Sequence, residues 1–419
     1  MPIYVYYGNV VVATIDGKQV DINKEAVEHS GMPPQWVPNI AHLLENALPE
    51  GQRYDALIRL AIARGKSPNS SIELIPYVTD LPGRFSAEHS SMPRKNGEDE
   101  RKFFQLPEHL PQGSIESRLP AALFNPLSEV RVNERPSFSG YQDKFTANLL
   151  LEGEKLILLP VDQEAERGNV IVKPANLKYP FIAENEYVCM ELSRQLEIPT
   201  SRVFLFYQAD TPFPRQHLAV ERFDVNMRDG RAEKLAITEF APLMKLLPDQ
   251  KYDATTESLF AFARDNLSSD DTKLLARYYL LGVIVRNGDM HTKNFSIMID
   301  PNGNPRLTPV YDMVNTDIYG FSDILALKLT NDNRPKAPAI AAFLSQYLTP
   351  DEIAGMGQAV KGHLSGVLDS AFEQNTALNA PKFKKRLEQS ISGGASHTIQ
   401  AAKQLSHSLV KRPKDSQDR

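Results

Sequence analysis

Asp289, His291, Lys293 and Asn294 fall within six residues, in the run Asn287-Gly-Asp-Met-His-Thr-Lys-Asn294. Phosphoryl transfer needs an acceptor for the attacking hydroxyl's proton and an oxygen ligand for Mg²⁺. One loop can supply both when an asparagine follows an aspartate by five positions, and Asn294 stands five positions after Asp289. His291 could orient Asp289, contact phosphate or hold the loop, and Lys293 completes the candidate catalytic set.

The same chemistry asks for a second carboxylate on the metal. Asp312, in Pro309-Val-Tyr-Asp312-Met, follows a short hairpin pattern and suits a hard cation that prefers oxygen. Asn294 and Asp312 are thus the candidate metal ligands. A strand lysine should meet the ATP phosphates, paired with a helical acid. Lys173 ends the strand-like Val170-Ile-Val, and Glu186 lies in the first turn of a helix expected at 184–197, with Glu184 as the alternative. A phosphate loop is expected at Ser137-Phe-Ser139-Gly140-Tyr141-Gln142-Asp143-Lys144, although a single glycine also fits an ordinary turn. Taken singly, each residue has a bland reading: a turn former, a surface lysine, a loop cap. Their order, from loop to strand lysine to helical acid to Asp289, Asn294 and Asp312, is what points to a nucleotide-dependent kinase.

These residues need elements to hold them. Residues 3–22 read as a small β unit with a hairpin turn at Asp16-Gly17. Helical spacing follows near 39–48 and 52–64. The stretch 79–113, rich in Pro, Ser, Gly and charge, reads as a connecting loop. Strand patterns dominate 145–223, interrupted by the helix at 184–197. From about 235 the pattern is helical. Its clearest helix is 270–286, with Leu274, Leu275, Tyr278, Leu281 and Val285 on one face and Asp270 and Asp271 in the first turn. A hairpin is expected from 295 to 310. Thr349-Pro-Asp-Glu352 is a capping box opening another helix. The fold class expected is α+β and bilobal: a small α/β subdomain with linker (1–113), a β-rich nucleotide lobe (114–235) and a helical catalytic lobe (236–419).

The composition is that of a globular protein, with 42% apolar and 24% charged residues. A net charge of −5 argues against coating nucleic acid or membrane by bulk charge. Lys328, Arg334 and Lys336 form a basic stretch that reads better as a solvated loop than as a DNA contact. The lone Cys189 cannot form an internal disulfide and reads as a small core residue of a reducing compartment. No apolar run long enough to span a bilayer and no secretory pattern is evident, so a cytoplasmic protein without membrane contact is expected.

Asn287-Gly-Asp289-Met-His291-Thr-Lys293-Asn294-Phe-Ser and Leu307-Thr-Pro-Val-Tyr311-Asp312 resemble the HipA family of bacterial serine/threonine kinases, toxins of HipBA toxin–antitoxin modules. Ser137-x-Ser139-Gly140-x-Gln142-x-Lys144, Val170–Lys173, Asn185-Glu186-Tyr and Val220-Glu221-Arg222-Phe223-Asp224 match as well. The resemblance implies a bilobal, protein-kinase-like fold that uses ATP and Mg²⁺. It implies that Asp289 is the base, Asp312 a metal ligand, and Lys173 the phosphate lysine. Glu221, Arg222 and Phe223 would form the adenine hinge, Tyr311 would lie at the nucleotide, and 139–144 would form the phosphate loop. Ser137 or Ser139 would be the autophosphorylated residue whose modification ejects that loop and inactivates the kinase. It further implies an aminoacyl-tRNA synthetase as substrate and a HipB-like helix-turn-helix antitoxin that brings the complex to operator DNA. Tyr141 and Asp143 depart from the residues common in the family, and 79–113 matches poorly.

Three other readings compete. A metallophosphoesterase would share Gly288-Asp289-x-His291 but needs further His and Asp ligands that are not clustered here. A catalytically weak kinase-fold subunit could serve as an antitoxin-binding co-repressor. A kinase of small molecules would use the same residues.

Overall fold

The computed structural model describes residues 2–410 apart from 18, 49–51, 66, 69, 79–83, 90–101, 112–113, 125–143, 163–165, 177, 209–214, 229–230, 322–324, 374 and 376. Ser137, Ser139, Gly140, Tyr141, Gln142 and Asp143 therefore lie outside the described residues, as do the 49–51 turn and the tail from 411.

The chain divides into two compact units. One comprises Met1–Ala175, Phe204–Lys251 and Ser296–Asn304; the other comprises Asn176–Val203, Tyr252–Phe295 and Pro305–Arg419. The sequential boundaries expected at 113 and 235 give way to discontinuous ones. Long-range pairing is the cause: Ile237–Glu239 pairs with Ser296–Ile299, and the helix after Lys173 packs on the helix Pro350–Phe372.

The first unit opens with a four-stranded antiparallel sheet, β1 (Ile3–Tyr7), β2 (Val10–Asp16), β3 (Gln19–Ile22) and β4 (Phe85–His89), in the order β3-β2-β1-β4. Ile3, Val5 and Tyr7 alternate into the core, as period two requires. Gly17 takes the left-handed conformation (φ +60°) that the β2–β3 turn needs. The expectation of loop throughout 79–113 fails at β4, which pairs residue for residue with β1. Phe85, with its β-former ring, packs edge-on to Tyr7 across that pair. Helices α1 (Lys24–Ser30), α2 (Ile40–Asn46) and α3 (Gln52–Ala63) join this sheet in a core that includes Trp36, Leu44 and Leu57. Asn23 caps α1 by accepting from Ala26 N at 3.0 Å, a helix absent from the sequence reading because its apolar stripe is short.

The second sheet of this unit carries Lys173 and Glu221. Its strands are β5 (Ile115–Ser117), β6 (Phe145–Glu152), β7 (Lys155–Pro160), β8 (Val170–Lys173), β9 (Val203–Tyr207) and β10 (Gln216–Glu221), in the order β9-β10-β8-β6-β7-β5. Gly153, at φ +63°, closes the two-residue β6–β7 turn expected from Glu152-Gly-Glu.

The second unit is helical: α4 (Ile182–Gln195), α5 (Thr256–Asn266), α6 (Ser269–Ile284), α7 (Ala337–Leu344), α8 (Pro350–Phe372) and α9 (Ala380–Val410). Thr349 and Glu352 exchange the reciprocal capping-box bonds that open α8. Leu275, Tyr278, Leu281 and Val285 of the expected stripe are buried. Small residues set the closest approaches. A Cβ on Gly394 of α9 would lie 2.1 Å from the Ile284 carbonyl oxygen at the end of α6. The strand expected at 307–310 instead spans Pro305–Leu307, and Val310 makes an isolated bridge to Thr200.

Candidate active site

The second unit assembles the loop that ends α6. Arg286 turns the chain with φ 58°, and Asn287 N donates to Gly282 O at 2.8 Å. Gly282 also makes room for the loop itself, since a Cβ there would lie 1.9 Å from Met290 Sδ. Met290 is thereby a buried plug that seats the loop against the helix. Gly288 N donates to Thr316 Oγ1 at 2.8 Å, and Thr316 Oγ1 donates to Arg286 O at 3.2 Å. Asp289 N donates to Asn287 Oδ1 at 3.1 Å. With its backbone held at these points, Asp289 stays exposed while Thr292, Lys293 and Asn294 turn inward as a short 3₁₀ turn. The Tyr252 hydroxyl donates to Asp289 Oδ1 at 2.5 Å, and its ring stands edge-on to His291, centroids 5.1 Å apart.

Two tyrosines tie the Lys293–Asn294 end of the loop to the peptide preceding Asp312. The Tyr278 hydroxyl lies 3.1 Å from Asn294 O and 3.2 Å from Tyr311 O, one proton serving both carbonyls. Tyr311 donates its own hydroxyl to Lys293 O at 3.0 Å, so its phenol braces the loop. Burial pushes the Tyr278 phenol well above its ordinary range, and the Asp312 charge adds to the rise. Tyr278 therefore remains a neutral donor across the working pH range. Asp312 holds a left-handed backbone (φ 58°), which aspartate tolerates better than bulkier residues do.

Asn294 Oδ1 is buried and accepts no hydrogen bond among the described residues. A buried amide oxygen without a donor is unfavourable, and a cation would relieve it. Among the described residues no three His, Cys, Asp or Glu side chains cluster as a metal-only site. Mg²⁺ does not need such a cage, because it commonly takes one or two protein oxygens plus water and phosphate. Asp312 and Asn294 fit that pattern.

The first unit presents Lys144 and Lys173 at the same end of neighbouring strands. Lys144 directly precedes Phe145, the register partner of Val172, and Lys173 follows Val172. The start of β8 is fixed by two residues. Gly168 has no room for a Cβ, which would fall 2.8 Å from Thr146 Cβ, and the Asn169 amide bonds both Leu149 N and Leu149 O. Beyond Lys173, Ala175 N donates to His217 Nδ1 at 2.8 Å. Glu221 is the register partner of Val170 on β10, with Arg222 and Phe223 following. Arg222, expected at the adenine hinge, gives its guanidinium to Asp224 in a two-bond fork of 2.9 and 2.7 Å.

Glu186 is buried on α4. The helix starts at Ile182, so Glu186 sits in its second turn and Glu184 in the first. Glu184 accepts a bond from Asn375 Nδ2. Between them Asn185 brackets the backbone of Asn315, donating to its carbonyl at 2.8 Å and accepting from its N–H at 3.0 Å. Asn315 Nδ2 donates to Ser390 Oγ, Ser390 donates to Asp317, and Asp317 pairs with Arg286 at 3.2 Å. This chain links α4, the segment after Asp312, α9 and the loop of Asp289. Sequence reasoning missed Tyr252, Asn315, Thr316 and Gly282. A usable signal existed for the last: a glycine inside a strongly apolar helix marks a close approach.

Comparison with known proteins supplies the lineage. Residues 136–374, more than half of the chain, match the family described as the HipA-like C-terminal domain. A Sinorhizobium fredii protein named "Putative kinase Y4dM" is 28% identical over 78% of this chain and 73% of its own length. The serine/threonine-protein kinase toxin HipA of Shewanella oneidensis is 26% identical over 40% of this chain and 42% of its own length. The solved Shewanella oneidensis HipA chain, from a complex of HipA, HipB and operator DNA, superposes with a TM-score of 0.70. It covers 97% of this chain and 99% of that one at 18% identity, which establishes the α+β kinase-like fold. The motif resemblance, the fold and the family match agree, and the chain belongs to the HipA family of kinases.

Proposed function

We propose that the chain transfers the γ-phosphoryl group of ATP to a protein serine and acts as the growth-inhibiting toxin of a toxin–antitoxin pair. The observation that carries this reading is the convergence in the second unit. Exposed Asp289 stands on a loop whose buried end offers Asn294 Oδ1, and the Tyr278 hydroxyl ties Asn294 to the peptide preceding Asp312.

In this reading Asp289 accepts the proton of the attacking serine hydroxyl as its oxygen bonds to phosphorus and the bond to ADP breaks. His291 and Lys293 keep the carboxylate aimed and the loop closed. Asn294 and Asp312 would hold Mg²⁺, which when bound neutralises phosphate charge. Lys144 and Lys173 would bind phosphate oxygens, Glu186 would orient Lys173, and the 221–223 backbone would meet adenine. The segment 139–144 would cover the phosphates. The motif resemblance implies an aminoacyl-tRNA synthetase as substrate, and the likeness to a HipA chain solved with HipB and operator DNA supports a HipB-like antitoxin that recruits the complex to DNA.

Incubation with γ-labelled ATP and Mg²⁺ should label the protein itself on Ser137 or Ser139, located by mass spectrometry. Asp289→Ala or Asp312→Ala should abolish the label. An undiminished label in Asp289→Ala protein would overturn the catalytic assignment. Growth arrest on expression, relieved by the same substitution, tests the toxin role.

A further inference from the structure

Tyr252 touches the two residues at the exposed end of the loop. Its hydroxyl donates to Asp289 Oδ1 at 2.5 Å, and its ring meets His291 edge-on at an interplanar angle of 82°. The residue is 44% exposed, so an incoming molecule can reach and displace it. A hydroxyl donating to the Asp289 carboxylate has the same donor–acceptor relation that an acceptor serine must adopt before it surrenders its proton.

Resting on the kinase reading above, we infer that Tyr252 is an internal mimic of the acceptor hydroxyl, a gate that occupies Asp289 until a docked acceptor displaces it. Free water then competes poorly for the carboxylate, whereas an acceptor held by other contacts competes well. Tyr252 is a specificity-determining residue that favours protein acceptors over hydrolysis.

The mounting of Tyr252 supports this role. It lies three residues before Thr255, which caps α5 by accepting from Ser258 N at 3.1 Å. The start of α5 is tied to a distant segment: Thr256 N donates to Lys328 O at 2.8 Å, Thr256 Oγ1 to Leu327 O, and Thr330 N to Glu257 Oε1. In that segment Lys328, Thr330 and Asn331 are exposed, and the last two hold left-handed backbone (φ 48° and 64°). A protein acceptor that engages this turn has a short mechanical route to Tyr252, which a water molecule lacks.

The test uses the full chain with ATP and Mg²⁺ and water as the acceptor. Tyr252→Phe keeps the ring against His291 and removes only the hydroxyl. It should raise ATP hydrolysis roughly ten-fold, the scale of one hydrogen bond to a charged group. Tyr252→Leu should accelerate hydrolysis likewise and serves if the Phe variant folds poorly. Hydrolysis equal to or slower than wild type in both variants overturns the gate. A second readout needs neither nucleotide nor metal. In protein carrying ¹³Cζ-tyrosine, the Tyr252 resonance, identified by its loss in Tyr252→Phe, should shift in Asp289→Ala; an unmoved resonance overturns the contact. Active wild-type enzyme with unaccelerated variants defeats the gate alone. Absence of both hydrolysis and self-labelling in wild type and variants overturns the kinase reading and the gate with it.

Discussion

Asp289 is held by its backbone and addressed by its side chain from different directions. Its N–H is taken by Asn287, its neighbour Gly288 by Thr316, and its carboxylate by Tyr252. In the proposed role of Asp289 as base, a fixed backbone would let the exposed carboxylate accept a proton without rearrangement. The residue that most directly sets the depth of this loop is Gly282, because a side chain there would collide with Met290. Gly282→Ala is expected to cost about 1–3 kcal/mol of stability through forced displacement of Met290. It should also lower phosphoryl transfer more than ATP affinity. Urea unfolding and separate measurements of transfer and ATP binding check both parts. Adding Met290→Ala should recover part of the loss of stability if the clash is its source.

At the scale of elements, helix approach decides where the loop begins. The Gly394 backbone of α9 lies against the Ile284 carbonyl at the end of α6, with no volume for a methyl group. Gly394→Ala is expected to destabilise by roughly 3 kcal/mol, the upper end for overpacking, because the obstructing atom is backbone and cannot rotate away. Gly355→Ala on α8 is the matched control: its Cβ would meet nothing within 4 Å. That substitution should stabilise by up to about 1 kcal/mol through helix propensity. Equal unfolding midpoints for the two variants would contradict the packing argument. The Asn185–Asn315 bracket works at the same scale, since it fixes α4, and so Glu186, to the segment that follows Asp312.

At the scale of the molecule, each unit carries its own reporter. Trp36 is fully buried in the core of the first unit, and Cys189 is fully buried on α4 in the second. Burial raises the Cys189 thiol well above its ordinary range, so the thiolate is scarcer than in an exposed cysteine at every working pH. Native protein at neutral pH should not react with a thiol reagent such as dithionitrobenzoate. One equivalent should react once the second unit unfolds in urea. Prompt reaction of native protein would place the thiol at the surface. Among the described residues no helix is long and apolar enough to cross a membrane.

Much of this architecture was legible because it is encoded locally. The hairpins at Gly17 and Gly153, the capping box at Thr349 and the stripe of α6 each rest on residues a few positions apart. Asp289, Asn294 and Asp312 stood out in the sequence by their spacing along one short stretch, and the Tyr278 hydroxyl joins Asn294 to the peptide before Asp312. The tertiary structure decided the rest. It drew β4 from an apparent loop into the first sheet, because pairing with β1 outweighs a weak local preference. It bound the Arg222 guanidinium to Asp224 and turned the Tyr311 phenol toward Lys293. It also brought Tyr252 to Asp289, thirty-seven positions away. A hydrogen bond between such distant residues leaves no periodicity in the sequence, because only the packing of α5 and α6 determines which side chains meet.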